Sequence, residues 1–234
     1  MHNIQAIFFD YDNTLVDYVQ ADTLALSILA NSLPAAVDRK AFVDKAVEHI
    51  MAFHTLWELG KINSLEMHQY RLSNTIRDFG LSWQPEHLET YLSCFHNNHF
   101  VFPGAEELLA SLSKTVKLGL ISNSYLIEEQ KMRIESSGLG KYFADIVICA
   151  EIGFYKPAPQ AFLHLVDKHG LLPSQCLFVG DSEIHDIQGA KGAGLMSARI
   201  VHGKNRAIKT EADYLCFGFP ELAQLLTTLA GEKT

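Results

Sequence analysis

The stretch "AIFFDYDNTLVDY", residues 6–18, decides the fold. Apolar residues run up to Phe9 and stop at Asp10, and Asp12, Asn13 and Thr14 come at once after it. A strand with no polar face must be covered on both sides, as strands of a parallel sheet between helix layers are. Two carboxylates at the end of such a strand are either a polar turn or the start of a site. The rest of the chain separates the two.

Working outward, further short β-rich runs occur at Val116–Ile121, Ile146–Cys149, Leu177–Val179, Met196–Val201 and, more weakly, Tyr214–Phe217. Helical patterns lie between them. Ala105–Leu112 comes after Pro103-Gly104 and carries Glu106 and Glu107 in its first turn, where negative charge is favoured. Others run near Leu126–Ser137, Pro159–His169 and Ile184–Ala193, the first two stopped by Gly138 and Gly170. The alternation predicts a doubly wound α/β parallel sheet. One interval breaks the rhythm. Between Asp12 and Val116 no strand is evident, and helices are expected at Val19–Leu33, Arg39–Leu59, Ser64–Phe79 and Pro85–Phe95. A crossover needs only about a dozen residues, so this interval reads as an all-α insert. The expected organisation is an α/β core of residues 1–16 and 101–234 with a helical cap of 17–100.

In open α/β sheets ligands bind at the carboxyl ends of the strands. The residues just past each strand are therefore informative. Asp10, Asp12 and Thr14 lie past the first; Ser122-Asn123-Ser124 past the second; Lys156-Pro157, a few residues on, past the third; Gly180-Asp181-Ser182 and then Asp186 past the fourth. Asp10, Asp12, Asp181 and Asp186 would crowd one crevice. Like charges ~4 Å apart repel by about 4 kcal/mol at an effective dielectric of about 20. Either some carboxyls are protonated or a cation sits among them. All the donors are oxygens, which points to Mg²⁺ rather than zinc. An aspartate, with a reference pKa of about 3.9, can attack phosphorus directly, and a second carboxyl two residues on can serve as acid and base. Lys156 and the Ser122 hydroxyl are suited to hold phosphoryl oxygens. Asp-x-Asp-x-Thr alone arises by chance in about one chain in thirty to forty of this length. Four such features in order, each after a strand, are specific.

Composition narrows the alternatives. The chain has 234 residues, 48% of them hydrophobic, and a net charge of −8, enough for a core and without the basic clusters of a nucleic-acid groove. Cys94, Cys149, Cys176 and Cys216 form no C-x-x-C pair. Three lie in strand-like runs, so a reduced, cytoplasmic protein is expected. No stretch approaches the ~20 apolar residues of a membrane span, and the amino-terminal residues carry no signal-peptide pattern.

With Asp10-x-Asp12-x-Thr14, Ser122-Asn123, Lys156-Pro157 and Gly180-Asp181-Ser182-x-x-x-Asp186 in order, the chain resembles the haloacid dehalogenase superfamily over essentially its whole length. The insert resembles the C1-type cap of subfamily I, the group of phosphoglycolate phosphatases, β-phosphoglucomutases and 5′-nucleotidases of this fold. The resemblance implies a Rossmann-like core. It implies Asp10 as nucleophile and Mg²⁺ ligand, and Asp12 as general acid/base giving its backbone carbonyl to the metal. Asp181 would ligate Mg²⁺, and Asp186 would do so directly or through water. Ser122 and Lys156 would bind the phosphoryl group. Asn123 would contact phosphate or backbone, and Thr14 would order the loop around Asp12. Dehalogenase and phosphonatase members lack the second carboxylate, so Asp12 favours hydrolysis of a phosphate monoester of a small metabolite. The core motifs also admit a phosphomutase. A non-catalytic phosphometabolite-binding relative would be expected to have lost Asp10 or Asp12. A monomer and a homodimer both fit.

Other features read more plainly. "GAKGAG", Gly189–Gly194, has the wrong order for a dinucleotide loop and reads as a helix end. His96-x-x-His99 has no further ligands nearby in sequence. Met51, Phe53, Trp57 and Leu59 are expected in the cap core, with Tyr18, His54 and Trp57 as candidates to meet the substrate. Glu183 and His185 are expected to be solvated or supporting.

Overall fold

A computed structural model describes residues 4–58, 61–203 and 206–231, without the side chains of residues 54, 55, 57, 58, 64 and 230. The chain divides into two compact units, Met1–Asp17 with Val101–Thr234, and Tyr18–Phe100.

In chain order the elements are β1 (Ala6–Phe9), α1 (Tyr18–Ser32), α2 (Arg39–Glu58), α3 (Ser64–Asp78), α4 (Pro85–Asn97), α5 (Ala105–Leu112), β2 (Lys117–Ser122) and α6 (Ile127–Ser136). Next come β3 (Asp145–Ile148), α7 (Cys149–Ile152), α8 (Pro159–Lys168), β4 (Cys176–Gly180), a π-helix over Glu183–Gln188, α9 (Gly189–Gly192), β5 (Met196–Val201), β6 (Tyr214–Phe217) and α10 (Phe219–Gly231).

The first unit holds a six-stranded sheet in the order β3-β2-β1-β4-β5-β6, every pairing parallel. β1 is central: Phe9 lies opposite Leu120 on one side and Val179 on the other. The period of two sends alternate side chains to opposite faces. Ile7 and Phe9 join a core with Leu109, Ile134 and Leu222, whereas Ala6 and Phe8 join one with Phe162, Leu165 and Ala190. Two cores on two faces explain why the strand is apolar throughout. Because β1, β2 and β4 are in register and parallel, their carboxyl ends share one edge.

The second unit is helical. α1–α4 pack around Leu26, Leu29, Phe42, Leu72, Ile76, Tyr91 and Phe95. The start of α3 is fixed by a capping box: the Asn63 side chain accepts from Glu66 N at 2.9 Å, and Asn63 N donates to Glu66 Oε2 at 2.9 Å. Arg71 is fully buried here. Its guanidinium pairs with Asp22, which also accepts from the Tyr91 hydroxyl at 2.5 Å.

The structure departs from the sequence expectations in places. β1 begins at Ala6 rather than Ile4, and Cys149 opens α7 instead of closing β3. The helix expected from Ile184 begins as a π-helix at Glu183. α10 has no counterpart among the expected helices. Met51 is not cap core; it is 67% exposed. At about 100° per residue it lies half a turn round α2 from the buried Phe42. Phe53 is half-buried, and Trp57 and Leu59 lie outside the described side chains. All four cysteines are buried free thiols. Among the described residues no helix is long and apolar enough to cross a membrane.

Candidate active site

β1 delivers Asp10 to the carboxyl edge of the sheet, where its amide donates to Val179 O at 2.9 Å. The side chain is 7% exposed and meets the buried ammonium of Lys156 at 2.6 Å. Lys156 Nζ also reaches Asp186 Oδ1 at 2.7 Å. Carboxylate oxygens of Asp10, Asp181 and Asp186 all lie within 4.8 Å of one another.

Asp186 gets there through the π-helix. Its wide turn lets Asp186 N and Ile187 N both donate to Ser182 O at 3.1 Å, while Asp186 Oδ2 accepts from Ser182 N at 3.0 Å. The space is taken from Gly180, where a Cβ would stand 2.4 Å from the Asp186 carboxyl. No side chain fits there without moving Asp186.

Lys156 is held by its backbone. Asn123 Oδ1 accepts from Lys156 N at 2.8 Å and Asn123 Nδ2 donates to Lys156 O at 2.9 Å. The neighbouring rings of Tyr125 and Tyr155 stack with centroids 4.3 Å apart. The loops after β2 and β3 are thus joined.

Asp12 lies in the loop after β1, which ends at Phe9, and is near enough for its charge to raise the Asp10 carboxyl further. The loop turns through Asn13, whose φ of 59° is left-handed, a conformation Asn tolerates. Asp12 then meets α6: Oδ1 is 2.6 Å from Arg133 Nη2, and Oδ2 accepts from Arg133 Nη1 at 3.1 Å and Gln130 Nε2 at 3.0 Å. Gln130 Nε2 also donates to Ser122 Oγ at 2.9 Å.

Thr14 is fully buried, but its hydroxyl has no hydrogen-bond partner among the described residues, so the side chain does not order the loop by hydrogen bonding. The Thr14 carbonyl does that work, accepting from His202 Nε2 at 3.1 Å. His202 is sandwiched between Phe102 and Phe219.

Burial is the main influence on the charges. It raises the Asp10 carboxyl to about 7, with Lys156 opposing and Asp186 reinforcing. Asp181 is pushed well above the usual carboxylate range, first by desolvation and then by Asp186 and Asp10. Burial also raises the Tyr11 hydroxyl to about 12. One ammonium therefore faces three carboxylates. The all-oxygen donor set, the convergence within one ion's reach and the excess negative charge suit a hard divalent cation. Among the described residues no comparable group includes His96 or His99.

Asp10, Lys156, Asp181 and Asp186 thus meet, Asn123 braces Lys156, and Ser122 and Asp12 are joined through Gln130. Tyr18 opens α1 and packs edge-on against Phe95 in the helical unit. His54 and Trp57 lie on α2, with side chains outside the described residues. Glu183 is supporting: it accepts from Arg199 Nη1, Thr210 Oγ1 and Glu211 N at 2.7 Å each. His185 N donates to Ser182 Oγ at 3.2 Å. Gln130 and Arg133 were missed by sequence reasoning, and Gly180, though named in its motif, was given no reason for being glycine. The first two had a signal, since they sit at i and i+3 with Ile134 at i+4, where an amphipathic helix should be apolar.

Known proteins resemble this chain over most of its length. The family model described as haloacid dehalogenase-like hydrolase matches residues 4–194. A glyceraldehyde 3-phosphate phosphatase of Pyrococcus furiosus is 29% identical over 247 residues, covering 100% of this chain and 96% of the relative. An N-acylneuraminate-9-phosphatase of Mus musculus is 26% identical, covering 98% of this chain and 96% of the relative. The crystal structure of Bacillus subtilis YfnB bound to magnesium superposes with a TM-score of 0.80 at 25% identity, over 96% of this chain and 99% of that one.

Proposed function

We infer what this chain does from one premise: it belongs to the haloacid dehalogenase-like hydrolase family. The reading that fits best is a magnesium-dependent phosphatase acting on a small phosphorylated metabolite through an aspartyl-phosphate. One observation carries it. The buried Lys156 ammonium bridges Asp10 and Asp186, with Asp181 beside them and a second carboxylate available at Asp12.

Asp10 is the nucleophile. An Asp10 oxygen bonds to phosphorus as the ester P–O bond breaks, and Asp12 gives its proton to the departing oxygen. Water then attacks the aspartyl-phosphate, Asp12 takes a proton from it, and phosphate leaves with Asp10 restored. Lys156 and Ser122 hold phosphoryl oxygens, and Asn123 keeps Lys156 in place. Asp10, Asp181, Asp186 and the Asp12 carbonyl would hold Mg²⁺, which supplies positive charge against the phosphoryl oxygens and keeps Asp10 ionised. The presence of Asp12 separates this chemistry from dehalogenation, where a halide needs no proton. The named relatives are phosphatases of different substrates, which supports the class and no single compound. The residues 1–16 and 101–234 are assigned the chemistry, and the helical unit, 17–100, the choice of leaving group.

The test is phosphate release from a panel of phosphorylated metabolites, with Mg²⁺ and with EDTA. Release should require Mg²⁺, and Asp10→Asn should lose roughly a thousandfold or more of kcat while staying folded. Wild-type rates in Asp10→Asn would refute the mechanism. No release from any compound by the folded wild type would move the assignment to a mutase or a binding protein.

A further inference from the structure

α6 buries two polar side chains on the face that should be apolar. Gln130 and Arg133 are 3% and 4% exposed, beside the buried Ile134. Burying a guanidinium costs several kcal/mol unless its charge is matched. Here the match is Asp12, which receives the two terminal nitrogens on its two oxygens at 2.6 and 3.1 Å, a bidentate arrangement that sets orientation as well as charge.

Gln130 completes the cradle. Its Oε1 accepts from Arg133 Nη1 at 2.8 Å, and its Nε2 donates to Asp12 Oδ2 and to Ser122 Oγ. The amide has one sensible orientation, because a guanidinium can only donate and a carboxylate can only accept. A further tie runs back the other way. The buried Tyr11 hydroxyl donates to Arg133 O at 3.0 Å, and the guanidinium lies 5.6 Å from the Tyr11 ring. α6 therefore grips the two residues next after Asp10. Leu or Met at both positions would fill the same space without desolvating a charge, so packing alone does not account for this pair.

We propose that Gln130 and Arg133 are positioning residues that aim the Asp12 carboxyl at the leaving-group oxygen and hold it in register with the phosphate-binding hydroxyl of Ser122. The proposal rests on the phosphatase reading, with Asp12 as acid and base. A misaimed acid matters most when the leaving group is a poor one. An alkoxide needs the proton, whereas p-nitrophenolate departs without it.

The experiment compares wild type, Arg133→Met, Arg133→Lys and Gln130→Met on the best alkyl phosphate of the panel and on p-nitrophenyl phosphate, with Mg²⁺. On the alkyl ester, kcat should fall about a hundredfold in Arg133→Met and about tenfold in Gln130→Met, with KM within about threefold, the order of a general acid–base contribution. First-turnover nitrophenolate release should fall less than about fivefold, since that step needs no acid. Arg133→Lys, which keeps the charge and loses the fork, should recover only part of the loss. In an Asp12→Asn background, adding Arg133→Met should change the rate less than about threefold, because nothing is left to aim. Equal losses on both esters, losses that multiply in the double variant, or a faster Arg133→Met would overturn the proposal while wild-type turnover leaves the phosphatase reading standing. A wild type inactive on every ester would overturn both. If Arg133→Met fails to fold, Gln130→Met, which keeps the ion pair, makes the same two comparisons.

Discussion

Asp10 sits where a carboxylate is least comfortable, buried and then beside Asp186, and its pKa of about 7 results from that, with Lys156 opposing. The consequence for stability has a definite sign. With the folded pKa above the unfolded value of about 3.9, the folded state binds the extra proton between them, so stability falls as pH rises through that window. In EDTA, the stability of wild type relative to Asp10→Asn should decrease from pH 4.5 to pH 7.5, as read by urea unfolding at each pH. Mg²⁺ should stabilise wild type more at the upper end, where the ionised ligands are available to it. A flat difference between the two proteins would mean that Asp10 is solvated. Asp10, Asp12, Lys156, Asp181 and Asp186 were all legible in the sequence, because each is an ionisable residue in the segment that follows a strand. Gln130 was not, since an amide carries no charge to notice, and Gly180 could be named but not explained, since nothing in the sequence shows that the Asp186 carboxyl needs its space.

At the scale of the element, each working side chain depends on the segment that ends or begins beside it. Asn123, one residue past β2, clamps both backbone groups of Lys156. Asn123→Ala should cost about 1–3 kcal/mol through two lost hydrogen bonds, measured by thermal unfolding, and should raise KM for the phosphorylated substrate as Lys156 loosens. Asn123→Asp keeps one acceptor and should lose less stability at the Lys156 amide. The strands were readable because apolar runs bounded by Asp, Ser and Gly have few other interpretations. The helices were readable from their stops, and α5 was placed to the residue. The π-helix was not, because a turn of one extra residue leaves the hydrophobic period almost intact. That extra residue sets where Asp186 points.

At the scale of the whole molecule, each unit has its own apolar core, so each has its own stability. The helical unit has a weak point in its centre, where Arg71, Asp22 and Tyr91 share one buried network. Removing one partner leaves a charge unmatched in the interior. Asp22→Asn should cost the unit about 3–5 kcal/mol, and hydrogen exchange should show protection lost across 18–100 before it is lost in the sheet. Uniform loss across both units would mean that they unfold as one. What the sequence determined by itself was the plan: a parallel sheet, a helical insert, and four groups of reactive side chains at one sheet edge. Those come from periodicity and order, which are local properties of the chain. What only the tertiary structure decided was who faces whom. Lys156 meets Asp10 from 146 residues away, and Arg133 and Gln130 meet Asp12 from 121 and 118 residues away. A hydrogen bond is made or lost over less than an ångström, and distances that fine are set by how helices pack on the sheet, which no spacing along the chain records.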